Sequence, residues 1–257
     1  TNKYSKLRLR EGDKSGYTAS IPGDEDNIRE PDVLTSYDDN SSYIKELGYG
    51  DITEMAEDLV REYNEMARSI ETYHGFYIGR YELSGTKEKP AVKAGAVLTA
   101  SSSSANMWYG LKKACQEVIK NNTEVKSTMI YGCQWDETMS WLKRTKFVGE
   151  EEKVDEDSRS WGNYKDSISP ANVSGYGSEQ NTGYSENWSA NKIYDLAGNY
   201  RDWTQEASNA STRIHIGGSY HNPGSLIPGS SRIGNNSVAT LDYCTARATL
   251  IISDTVS

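Results

Sequence analysis

The sequence predicts a mixed α+β fold with a large share of irregular chain, and three stretches carry that prediction. Ile52, Met55, Ala56, Leu59, Val60, Tyr63, Met66, Ala67 and Ile70 recur at intervals of three and four, the period of an amphipathic helix. Gly75-Phe76-Tyr77-Ile78-Gly79-Arg80-Tyr81-Glu82-Leu83 has the aromatic and β-branched content of a half-buried strand. From Gly149 to Ala190, Gly, Ser, Asn, Asp and Tyr dominate and aliphatic residues are few; irregular stretches that long are uncommon unless they do something. A chain of 257 residues of this kind is expected to form one unit. Residues 1–74 are expected to be an extension carrying the amphipathic helix and packed on a main domain, 75–257.

Thr1 to Gly50 is polar. It contains a short alternating piece, Leu7-Arg8-Leu9-Arg10, and two acidic clusters, Gly23-Asp24-Glu25-Asp26-Asn27 and Asp38-Asp39-Asn40-Ser41-Ser42. Neither cluster has the 12-residue loop with a closing Glu that a helix-loop-helix calcium site needs, so both are read as solvated loop. Asp51 and Glu54 then supply an Asp-x-x-Glu start for the long helix, resembling a capping box. After the strand, Ser101 to Ser104 mark a loop. Met107 to Lys120 is a second helix with Trp108, Leu111, Cys115 and Val118 inward, and a third runs near Asp136 to Lys143 with Met139 and Leu142.

Composition excludes several classes. The formal net charge of -9 argues against a groove that tracks phosphates, so nucleic acid is not an expected partner. The aromatic residues are 18 Tyr and 6 Trp against 2 Phe, a set with polar handles that suits half-wet surfaces. Cys115, Cys133 and Cys244 are too few and too far apart for a zinc ribbon or a disulfide framework; one pair could bridge, leaving an odd thiol. No apolar run approaches a membrane span, and because the chain opens at Thr1 any export or anchoring signal reads as trimmed away.

The end of the chain has a restricted alphabet. From Ala207 to Ser257 there is no Lys, Glu, Gln, Met or Trp, although those types fill 52 of the preceding 206 positions. At that frequency about 13 would be expected in the tail. The types that remain are all reachable by codons ending in a pyrimidine, and the five absent ones are those such codons cannot encode. A strand-rich, loop-rich end explains scarce Lys and Glu, but strands do not usually exclude Trp and Met as well.

Ile193-Tyr194-Asp195-Leu196-Ala197-Gly198-Asn199-Tyr200-Arg201-Asp202-Trp203-Thr204, followed by Arg213-Ile214-His215-Ile216-Gly217-Gly218-Ser219-Tyr220, resembles the signature of the formylglycine-generating enzyme family. The resemblance spans roughly Gly75 to the end; the Leu196 to Thr204 block is its specific part, and the upstream matches are weak. It implies the C-type-lectin fold in its formylglycine-generating variant: a twisted antiparallel sheet, two flanking helices and much irregular chain. It also assigns Asn199 and Asp202 to a structural calcium ion, with Asp standing where the family has Glu.

The departures from the pattern decide the function. Catalytic members hold copper through two cysteines just after the glycine-glycine-serine-aromatic strand, because a thiolate pair suits Cu(I). Here that stretch reads His221-Asn222-Pro223-Gly224-Ser225-Leu226-Ile227, and Cys244 is the only thiol of the tail. No catalytic residue and no required cofactor are therefore expected, and a copper-dependent oxidase is the alternative set aside. No Gly-x-Ser-x-Gly elbow surrounds Ser219, and the Gly175 to Gly183 loop lacks the Lys of a phosphate cradle. His215, between Ile214 and Ile216, is read as a strand-face residue rather than a ligand.

Together with the restricted tail, the sequence is most similar to the variable proteins of diversity-generating retroelements. In these, a fixed scaffold of the same fold displays exchangeable side chains near the carboxyl terminus. The resemblance implies a ligand-binding protein of a cell surface or a phage tail, with a protein or glycan on another surface as partner. The variable region spans about 213–250, and Tyr220, His221, Asn222, Ser225, Leu226, Ile227, Ser230, Asn235, Asn236, Asp242 and Tyr243 are the residues expected to face ligand. Tyr offers large amphipathic contact at small entropic cost, while Asn and Ser give adaptable hydrogen bonds. An invariant structural tail or pilus component is the remaining alternative.

Overall fold

The computed structural model describes residues 28–99, 107–145, 154 and 156–253. The Leu7–Arg10 piece, the Gly23–Asn27 cluster and the Ser101–Ser104 loop lie outside them. The second acidic cluster is not all loop: helix α1 (Ser41–Leu47) begins within it, buries Ile44 and stops at Gly48, where φ is 102°. Its one-turn apolar signal, Ile44 and Leu47, is too short to register as a period.

Helix α2 (Ile52–Tyr73) is the long helix the spacing predicts. The Asp51 carboxylate accepts from Thr53 N at 2.9 Å and Glu54 N at 3.0 Å, while Glu54 reaches back to Gly50 N at 2.6 Å, one residue earlier than in a regular capping box. The predicted 75–83 strand shrinks to β1 (Tyr77–Ile78). Beyond it, Glu82 turns inward, where its carboxyl accepts from Asn199 Nδ2 at 2.8 Å and Tyr200 N at 3.0 Å. These contacts lead the backbone out of the sheet and into a separate ribbon of β2 (Ser84–Thr86) and β3 (Lys89–Ala91).

Helix α3 (Trp108–Glu117), strand β4 (Val125–Met129) and helix α4 (Gly132–Arg144) follow. A 3-10 turn at Glu186–Trp188 leads into the ribbon of β5 (Ser189–Ala190) and β6 (Ile193–Tyr194). The remaining strands are β7 (Arg201–Ala207), β8 (Thr212–Ile216), β9 (Arg232–Asn236), β10 (Cys244–Ala246) and β11 (Ala248–Ile252). One sheet has the order β10-β7-β8-β9, with β10 parallel to β7 and the rest antiparallel; a second has the order β1-β11-β4, all antiparallel. A single residue, Arg247, separates β10 from β11, so the chain changes sheets there.

Every residue of β7 is buried although five of its seven side chains are polar or charged. Each finds a partner. Gln205 Nε2 donates to Met129 O at 2.7 Å, Thr204 Oγ1 to Ile214 O at 3.1 Å, and Glu206 accepts from Arg232 Nε at 2.9 Å. Helix α3 closes one side with Trp108, whose indole donates to Thr204 O at 2.7 Å, and with Lys112, buried in a charged contact with Glu62 of α2. Met55 and Leu59 of α2 share a core with Trp108, Leu111 and Trp203.

The 156–188 segment is irregular, and part of it is sunk into the core. Trp161, Tyr164 and Trp188 are buried; Tyr164 Oη donates to Gly217 O at 2.7 Å and Trp188 Nε1 to Ala171 O at 2.9 Å. Aromatic residues with a polar tip can pack a loop and satisfy its carbonyls at once, which dispenses with aliphatic periodicity. All three cysteines are buried thiols, and no pair of them bridges.

Candidate ligand-binding surface

The site forms at the end of the four-stranded sheet where Arg201, Ile216, Arg232 and Cys244 begin or end their strands. Gly217 and Gly218, at φ 100° and 68°, release the chain from β8. A Cβ on Gly218 would lie 2.6 Å from Ile227 O and 2.7 Å from Tyr164 Cε1, so only glycine allows the following loop to fold back on Tyr164. Asn222 then anchors that loop. Its Oδ1 accepts from Ser219 N at 3.0 Å, Ser219 Oγ at 2.6 Å and Arg201 Nη2 at 2.9 Å. Asp166 holds the next turn through Gly224 N at 2.7 Å and Ser225 Oγ at 3.2 Å.

On this base lies a row of rings. Tyr200 meets Tyr220 at 5.7 Å between centroids, Tyr220 meets His221 at 5.2 Å, and His221 meets Tyr243 at 4.8 Å, each edge to face. Arg201 lies over the Tyr243 ring at 5.2 Å. Glu179 contributes a carboxylate 3.3 Å from Tyr200 Oη, and Asp242 is exposed beside Tyr243. Burial, then Glu179 and Asp242, push the Tyr220 phenol up, so it stays a hydrogen-bond donor. Burial and the Arg201 charge push His221 down, which keeps an exposed imidazole neutral near pH 7.

The eleven predicted residues divide. Tyr220, His221, Asp242 and Tyr243 come together, and Ser225, Leu226 and Ile227 lie on the adjoining turn with Leu226 72 % exposed. Two are corrected: Asn222 and Ser230 are buried at 9 % and 6 % exposure, and Asn222 is a loop anchor because its oxygen is engaged by Ser219 and Arg201. Asn235 and Asn236 are partly buried and exposed, but they pair opposite Arg213 and Thr212. Four residues of β9 separate Asn236 from the Arg232 end of the sheet, about 13 Å. They therefore belong to the other end. Tyr200, Arg201, Glu179 and Lys165, whose backbone N donates to Asn222 O at 3.1 Å, were not foreseen, since all four precede the tail that begins at Ala207. Two signals pointed to their segments: the irregular 149–190 stretch for Lys165 and Glu179, and the block containing Tyr200-Arg201.

The calcium assignment meets a different arrangement. Asp202 lies with Glu82 and Asp195 in a buried acidic cluster, and Arg247 occupies its centre. Arg247 Nε donates to Asp202 Oδ2 at 2.9 Å, Nη1 to Gly79 O at 2.9 Å, and Nη2 to Tyr194 O at 3.0 Å and Asp195 O at 3.2 Å. A carboxylate and three carbonyls are the hard oxygens a calcium ion would use; here they hold a guanidinium. Asn199 is committed to Glu82 Oε2, to Gln180 O at 3.2 Å and to Asn163 Nδ2 at 3.0 Å. Asn199 and Asp202 do not fit a shared calcium ion. Burial, with Asp195 and Asp202 beside it, pushes Glu82 well above the usual carboxylate range, and burial raises Asp195 to about 6.

His215 lies on β8 and is fully buried, its ring 4.8 Å from that of Trp203, so the structure places it in the core. Among the described residues no group of three or more His, Cys, Asp or Glu has the geometry to hold a metal, and no helix is long and apolar enough to cross a membrane.

No protein-family model matches the sequence, and no curated protein does at a significant level. Among solved structures, the chain is similar to Treponema denticola variable protein 1, with 13 % identity over 72 % of this chain and a TM-score of 0.34. The matched part spans 66 % of that protein's length.

Proposed function

We propose that this protein is a non-catalytic display scaffold whose carboxyl-terminal loops bind a macromolecular ligand on another surface. The observation that carries it is the row of Tyr220, His221 and Tyr243. These rings are half-exposed or exposed; Tyr220 and His221 stand on a loop whose backbone is fixed from below by Gly218, Asn222, Tyr164 and Asp166, and the Tyr243 carbonyl accepts from Arg201 N at 3.0 Å. A rigid backbone with amphipathic rings above it binds by shape and hydrogen-bond complementarity, at small entropic cost per ring. The tail that supplies these rings is also the segment with the pyrimidine-ending codon alphabet. That coincidence favours a surface diversified by a retroelement on a cell surface or phage tail, with a protein or glycan as ligand, over an invariant structural component.

Sequencing the gene from many members of a population tests this. Substitutions should concentrate at codons for Tyr220, His221, Ser225, Leu226, Asp242 and Tyr243, at positions templated by adenine, and spare Gly217, Gly218 and Tyr164. Substitutions spread evenly over exposed codons of the whole chain would overturn it.

A further inference from the structure

Arg201 is the buried charged group of the site, and among the described residues it has no counter-charge. It is only 7 % exposed, yet no carboxylate lies within ion-pair distance of it among the described residues. The other interior arginines are provided for. Arg232 pairs with Asp136 at 2.6 Å and Glu206 at 2.9 Å, Arg247 pairs with Asp202 at 2.9 Å, and Arg213 is surrounded by backbone carbonyls of Ser36, Asn209, Ala210 and Thr212. Among the described residues Arg201 has only the neutral Asn222 oxygen, at 3.3 Å from Nε and 2.9 Å from Nη2, and the face of Tyr243. Its Nη1 has no acceptor among the described residues, and the guanidinium keeps its small exposure against the Tyr243 ring, near the exposed His221.

Resting on the ligand-binding reading above, we propose that Arg201 is the specificity-determining cation of this surface and that it takes the carboxylate of an Asp or Glu side chain of a protein ligand. A guanidinium prefers a carboxylate because its planar fork matches the two oxygens, and a buried cation gains most from a partner. Glu179 and Asp242 oppose an acidic ligand, but both are exposed and their effect is screened by salt within about 8 Å. Arg201 and Lys165, the two cations whose field reaches His221, act on the same side as each other. The buried charge outweighs the exposed ones. The rings then form the wall around the ion pair, with the Tyr220 phenol and the neutral His221 edge available for the ligand's backbone.

The test uses the full chain and a randomised peptide library displayed on beads, selected at 0.15 M salt. Peptides that bind are expected to share an Asp or Glu, and replacing that residue by Asn or Gln should weaken binding roughly tenfold or more. Two variants read the role of Arg201. Arg201→Gln should lose the acidic preference. Asn222→Asp supplies an internal carboxylate to Arg201 through the same oxygen, so it should raise the melting temperature and abolish acidic binders together. That opposite movement is one a purely structural Arg201 would not produce. Selected peptides with no acidic preference, or with Lys or Arg in its place, overturn the inference and leave the ligand-binding reading standing. If selected peptides are unaffected by substitution at Tyr220, His221 and Tyr243, the ligand-binding reading itself fails. If Asn222→Asp retains acidic binders at full strength, Arg201 is not their partner.

Discussion

Replacing Arg247 by Ala should be the most damaging single truncation in the interior. Its guanidinium satisfies the Asp202 carboxylate and the carbonyls of Gly79, Tyr194 and Asp195, drawing β7, β6 and the chain after β1 to the corner between β10 and β11. Removal leaves a fully buried carboxylate without a partner, for which about 3–5 kcal/mol is typical. Three carbonyls lose donors as well, and water entering the vacated volume would satisfy part of that loss. Against a total stability of about 5–15 kcal/mol, the variant should stand near its unfolding threshold. Urea denaturation at pH 7 measures the change. A second signature separates lost charge compensation from lost packing. Burial already raises the carboxyl of Asp202, and without Arg247 it rises further. The folded variant then binds more protons than the unfolded chain between about pH 4 and neutrality, so lowering the pH from 7 to 5 should restore part of the loss. A deficit under about 1 kcal/mol, or one indifferent to pH, would refute the assignment of Arg247 as the cation of this cluster.

Three further outcomes follow from the same interior. Because Arg247 already holds the oxygens a calcium ion would take, a chelator should leave the melting temperature of the wild-type protein unchanged; a fall of several degrees would show a metal that the cluster does not account for. His215 has its pKa well below 6.5, chiefly through burial and then Arg201, so the unfolded chain takes up a proton below about pH 6.5 that the folded one refuses. Stability should drop there by up to about 1.4 kcal/mol per pH unit from this group, and His215→Phe, which keeps a ring against Trp203, should flatten that limb in pH-dependent urea melts. Gly218→Ala should cost about 1–3 kcal/mol in the same assay, since the new methyl meets Ile227 O and the Tyr164 ring; an unchanged midpoint would mean that the loop rests less firmly on Tyr164.

What the sequence made legible follows from which residues carry a local signal. Helix α2 announces itself because its apolar residues keep one period for five turns and Asp51 caps it; helices α3 and α4 show the same period around Trp108 and Met139. Strand β7 carries no such signal. Arg201, Asp202, Gln205 and Glu206 give it no apolar alternation, and only distant partners such as Asn222, Arg247, Met129 and Arg232 make them interior residues. The restricted alphabet located the loop end of the site but treated its positions alike. It could not distinguish Tyr220, which faces outward, from Asn222, two residues on, whose oxygen organises the loop. Nor could it place Asn235 and Asn236, whose position depends on the register of β9 against β8.

The central claim is that a fixed frame presents replaceable side chains, and simultaneous randomisation of Tyr220, His221, Ser225, Leu226, Asp242 and Tyr243 tests it most directly. The library should be sorted separately for folding, by protease resistance, and for binding to a panel of protein ligands. Most members should stay folded with melting temperatures within a few degrees of the parent, while their ligand preferences diverge. A parallel library at Tyr164, Gly218 and Asn222 should lose folding instead. If the two libraries lose folding alike, or if the first leaves ligand preference unaltered, the rings at this end of the sheet are part of the frame and the claim is wrong.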